Sequence, residues 1–142
     1  MSSQKTKDLK FGFESEKKTK PLLENHFKIK LTKTKDKYAT YDYYTGDKKM
    51  WFELKTRRTR KLQYPDVMIG ANKIEKGLKL IEKGCDVYIC WKFVDKLCYY
   101  KIDRATLKDE WKRTGGRFDR GVDEIDMLYY IPTHEMIDVI EF

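Results

Sequence analysis

The chain has 142 residues, of which 40% are hydrophobic and 38% charged, with a formal net charge of +8. That length suits one domain with a real core, and the apolar and aromatic content excludes a disordered chain. The positive charge points to a polyanionic partner, nucleic acid first. Three cysteines, Cys85, Cys90 and Cys98, form no Cys-x-x-Cys pair and no Cys/His cluster, which argues against a disulfide framework and structural zinc.

Residues 1–10 are basic and polar with no apolar stretch, so the expectation is a flexible tail rather than a signal peptide. The cysteine usage points to a reducing, intracellular setting, and no run of apolar residues is long enough to span a bilayer. Residues 11–142 then read as one domain. From Phe11 to Phe27 a helix is expected, kinked or restarted at Pro21. A strand can start at Ile29 to Leu31. Tyr38 to Tyr44, aromatic with Thr40, reads as another, and Thr45-Gly-Asp-Lys48 as a turn. Met50 to Arg57 alternates, with Phe52 and Leu54 on one face and Trp51, Glu53 and Lys55 on the other.

A basic loop follows, over Arg58 to Asp66. Val67, Ala71, Ile74, Leu78 and Ile81 then recur at helical spacing, and Gly84 closes that helix. Asp86 to Phe93 and Leu97 to Ile102 read as a second hairpin. Ala105 to Lys112 suggests a short helix, Thr114 to Gly121 a glycine-rich loop, Met127 to Ile131 a last strand, and Pro132 to Phe142 a short closing segment. This order predicts a mixed α/β domain, a sheet flanked by helices.

Chemistry concentrates on the first hairpin. A two-residue turn at either Gly46-Asp47 or Asp47-Lys48 puts Asp42 on the face of Trp51, Glu53 and Lys55, because the pleat has period two. Facing carboxylates repel, which makes sense if a divalent cation lies between them or water covers both. The short pattern (D/E)-x-K discriminates poorly: Asp8/Lys10, Glu16/Lys18, Asp47/Lys49 and Glu110/Lys112 also match. About four such matches are expected by chance in a chain so rich in acids and lysines. Only Glu53/Lys55 lies in an alternating strand with an acid across a tight turn.

A glutamate-bearing helix, a hairpin carrying Asp42 and Glu53-x-Lys55, then a helix and further strands resembles the PD-(D/E)xK nuclease superfamily, in particular its small resolvase-like and phage or viral members. The resemblance covers about 12–102 and implies a restriction-endonuclease-like core. The proline of the motif is missing, with Tyr41 before Asp42, and Pro65-Asp66 is a decoy because it follows Glu53-x-Lys55 instead of preceding it. The resemblance implies a Mg²⁺ (or Mn²⁺) site made by Asp42, Glu53 and the Leu54 carbonyl, with Lys55 positioning the attacking water. It assigns Glu14 to the helix carboxylate that supports the metal, Glu16 lying two residues on. It places Lys73 where relatives carry a phosphate-contacting residue. Arg57, Arg58, Arg60 and Lys61 leave the same strand, and Arg117 and Arg120 sit in the glycine-rich loop; all six are expected to hold DNA phosphates. The expected activity is metal-dependent endonucleolytic cleavage of DNA, selective for branched structures and helped by homodimerisation. The competing expectation is a non-catalytic nucleic-acid-binding module on the same fold.

Overall fold

A computed structural model describes residues 4–35, 41–115 and 126–142, with side chains described from Ser15 onward and not at Asp126. Among the described residues, two sheets and two α-helices make up the architecture. The larger sheet has six strands in the order β1 (Leu31–Lys33), β2 (Tyr43–Thr45), β3 (Met50–Thr56), β5 (Asp86–Lys92), β6 (Lys96–Lys101) and β9 (Ile137–Glu141). The smaller one has β4 (Asp66–Gly70), β8 (Asp126–Pro132) and β7 (Lys112–Gly115), in that order. Every pair is antiparallel except β3 and β5. A parallel pair needs a crossover, and the chain makes it through β4 and helix α2 (Ala71–Glu82).

The mixed α/β class and the flanking helices are as the sequence predicts. Helix α1 (Gln4–Phe27) is one continuous element that begins inside the segment expected to be a tail. Pro21 sits within it. Its ring removes an amide from the ladder, but Pro21 and Lys17, whose carbonyl is released, both lie on the exposed side where water can satisfy it. Ser15, Thr19 and Leu23 are buried at four-residue spacing and face the sheet. Small polar residues dilute that stripe, which is why its periodicity is faint in the sequence.

The larger sheet separates two apolar clusters. Phe52, Leu54, Tyr43, Tyr88 and Leu97 pack with Leu23 on the α1 side. Ile89, Trp91, Val87 and Tyr100 pack with Ile74 of α2 and with Val67, Ile69 and Ile131 of the smaller sheet on the other side. Helix α2 starts later than expected. Val67 belongs to β4, and its spacing to Ala71 is a coincidence of number: Val67 and Ile69 are buried in alternation, as a strand requires. The expected helix at 105–112 is a turn with a short 3₁₀ segment, Asp109–Trp111, leading directly into β7. The closing segment adds the edge strand β9. All three cysteines are free thiols. No helix among the described residues is long and apolar enough to cross a membrane.

Candidate active site

The hairpin positions the site. Tyr43 pairs with Phe52 and Tyr44 with Trp51, a register that continues to set Asp42 opposite Glu53. The turn is wider than the two residues expected: Gly46 to Lys49 lie between the strands. Asp47 Oδ1 accepts from the Thr45 hydroxyl and the Lys49 amide, and Lys48 adopts a left-handed φ of 57°. Asp42 itself lies in the bend just before β2, its amide donating to the Phe52 carbonyl at 3.0 Å.

Glu53 is 3% exposed on the α2 side of the sheet, beside the α2-side cluster. Burial pushes its carboxyl pKa up to about 8, helped by a hydrogen bond with Asp42 and by the Asp42 charge. Burial works against ionised Asp42 too, but the Glu53 hydrogen bond, the Leu54 amide at 2.8 Å and the charges of Lys33 and Lys55 outweigh it and hold its pKa down. The two carboxyls thus behave as a coupled pair with one proton held by Glu53. Burial lowers the pKa of Lys55, as do the neighbouring charges of Lys73 and Arg57, while Glu53 opposes the shift.

Helix α2 closes the site from above. Lys73 Nζ, in its first turn, lies 2.6 Å from Glu53 Oε2. Glu53 Oε2 is thus held by an ion pair, with no hydrogen bond to it. The Tyr41 hydroxyl donates to the Lys73 carbonyl and ties the bend before Asp42 to the same helix turn. From the other side, Lys33 of β1 bridges Asp42 Oδ1 at 3.4 Å and Glu16 Oε2 of α1 at 2.9 Å.

The donor set suits a hard divalent cation. Two carboxyls face each other, and the positive charge that Lys55 and Lys73 set against a buried, ionised Glu53 is one that a bound cation would supply as well. The Leu54 amide points toward Asp42, and in a strand the carbonyl of the same residue points to the same side, so it is available as a third oxygen. Among the described residues no cluster of three or more His, Cys, Asp or Glu side chains forms, since Glu16 reaches Asp42 only through Lys33. Glu14 lies in α1, but its side chain is outside the described residues. Among the described residues the α1 carboxylate beside the site is Glu16, whose pKa burial raises, with Lys33 opposing and Asp42 adding to the shift.

A model of the family described as "Phage putative PDDEXK endonuclease" matches residues 8–139. The chain belongs to that family. No curated protein matches it. Among solved structures it is similar to Archaeoglobus fulgidus Hjc, a Holliday junction resolvase from an archaeal hyperthermophile. The two share 12% identity over 84% of this chain and 94% of the other, with a TM-score of 0.50. At that identity the likeness concerns the fold, and it agrees with the resolvase-like nuclease core that the motif order implies.

In this PDDEXK endonuclease the hairpin brings Asp42, Glu53, Leu54 and Lys55 together, and the first turn of α2 adds Lys73. Arg57 follows on the same strand, with its guanidinium donating to the Thr56 and Met68 carbonyls. Arg58 and Arg60 are exposed in the loop beyond. Lys61 does not join them. It is 8% exposed, its Nζ lies 2.6 Å from Asp138 of β9 and its amide donates to Asp95. That pairing ties the loop to the far edge of the sheet. Arg117 and Arg120 lie outside the described residues. Lys33 carries no motif; only its place in β1, two residues beyond buried Leu31, could have pointed to it.

Proposed function

We propose that this endonuclease cleaves DNA by metal-dependent hydrolysis, with Mg²⁺ or Mn²⁺ held by Asp42, Glu53 and the Leu54 carbonyl. The observation that carries this reading is the coupled Asp42/Glu53 pair, buried beside Lys55 and with Lys73 2.6 Å from Glu53 Oε2. When bound, such a cation neutralises phosphate charge and makes water a stronger acid. Lys55, whose pKa burial lowers, orients the attacking water and, as the neutral amine, would accept the proton that the water gives up. Lys73, released from Glu53, and Arg57 face the scissile phosphate; Arg58 and Arg60 hold the strand beyond it. The described part of the chain has no separate recognition domain, which favours recognition of DNA shape, such as a branched junction, by two copies acting together.

The test is cleavage of linear, nicked and four-way DNA across a metal titration, beside Glu53→Gln and Lys55→Ala. Either substitution is expected to cut the rate by about 10²–10⁴ while DNA binding persists. Equal cleavage of all three substrates would remove the structure selectivity. Binding without cleavage at any metal concentration would favour a non-catalytic binding module instead.

A further inference from the structure

Lys33 stands out because neither the family motif nor the proposed chemistry uses it. Its ammonium sits between two carboxylates from different elements, 2.9 Å from Glu16 on α1 and 3.4 Å from Asp42 at the hairpin. It also lies 5.1 Å from the centroid of the Tyr43 ring, whose face attracts a cation. Three partners therefore hold a flexible side chain in one place. The Lys33 side chain remains 43% exposed, so water reaches it and it can leave. Glu16 and Asp42 are far less exposed, at 17% and 22%, and each would be poorly solvated without a counter-charge.

We propose that Lys33 is an internal counter-cation that competes with the divalent metal for Asp42, with Glu16 as the tether that keeps it in place. In the metal-free protein its charge prevents repulsion between Glu16 and Asp42. Metal at Asp42 displaces the ammonium from that carboxylate, and Glu16 retains it beside the site. Lys33 is thus a positioning residue that sets the metal concentration at which the centre assembles. The inference rests on the proposed metal site and refines it.

The measurement is Mn²⁺ binding to the whole protein without DNA, by calorimetry. Lys33→Met is expected to bind Mn²⁺ about five-fold more tightly than the wild type, the gain from removing one partly exposed ionic competitor. Lys33→Arg should keep the wild-type affinity. Lys30→Met, which removes the same charge from an exposed neighbouring position, controls for long-range attraction. Thermal unfolding without metal should show Lys33→Met destabilised and Mn²⁺ restoring it more than it stabilises the wild type. Unchanged or weaker Mn²⁺ affinity in Lys33→Met, or an equal gain in Lys30→Met, would overturn the proposal. If wild-type protein binds no Mn²⁺, or Asp42→Asn binds it equally well, the metal site itself is wrong. Those outcomes are distinct from a failure of Lys33 alone.

Discussion

Glu53 is a carboxyl group that the folded chain can neither hydrate nor fully hydrogen-bond. In the unfolded chain it ionises in the ordinary glutamate range, whereas in the fold it keeps its proton to about pH 8. A folded-state pKa raised in this way contributes stability that is complete below the unfolded value and is lost as pH rises through the folded one. Asp42 acts in the opposite sense: its pKa is lowered, so its contribution is present above the ordinary aspartate range and lost as pH falls below it. The metal-free protein should therefore be most stable near about pH 5 and weaken steadily toward pH 8. Urea midpoints across that range in a chelator check this. Glu53→Gln, which can still donate to Asp42, should flatten the alkaline limb, and divalent metal should reverse the wild-type loss. A wild-type midpoint independent of pH from 5 to 9 would contradict the buried, proton-holding Glu53.

At the scale of elements, the site depends on how closely α2 approaches the sheet, and Gly77 sets that distance. A Cβ there would come within 2.6 Å of the Tyr41 hydroxyl oxygen and 2.8 Å of Ile102 Cδ1. Alanine gains about 1 kcal/mol in helix propensity, but overpacking costs about 1–3 kcal/mol. The second effect should win, because Tyr41 is held by its bond to the Lys73 carbonyl and cannot simply swing away. Gly77→Ala should lower stability by about 1 kcal/mol in urea unfolding. It should also slow cleavage, since it pushes on the link between Asp42's bend and Lys73. A stabilised, fully active Gly77→Ala would show that α2 has slack.

The elements differ in how much of this the sequence discloses. β3, β5, β6 and β8 are legible because alternation and aromatic content are local properties, and Asp42, Glu53 and Lys55 follow from strand register. β4 is misread as helix because Val67 happens to lie four residues before Ala71. Glu14 and Glu16 cannot be ranked by spacing alone; the choice depends on how α1 rotates against β1. Lys33 and Lys61 are hidden for a related reason: their partners lie on other elements, 77 residues away for Lys61 and Asp138.

For the whole molecule, a net charge of +8 predicts DNA binding that weakens steeply with salt, but the charge is not evenly available. Lys61 is committed to Asp138, whose pKa that lysine, with Cys98 and Lys96, brings down to about 2. Lys33 is committed to Glu16 and Asp42, and Arg113 to Asp66 and the Tyr130 ring. Arg60 lies exposed on the loop that follows β3. The change Arg60→Ala should therefore lower the slope of log affinity against log salt by about 1. Lys61→Met should leave that slope unchanged and instead lower stability by about 1–2 kcal/mol, because Asp138 loses its nearest partner. Fluorescence anisotropy with a labelled junction between 50 and 200 mM salt separates the two effects. A slope change in Lys61→Met equal to that of an arginine variant would mean that the loop turns outward when DNA binds and that the Lys61–Asp138 pair opens.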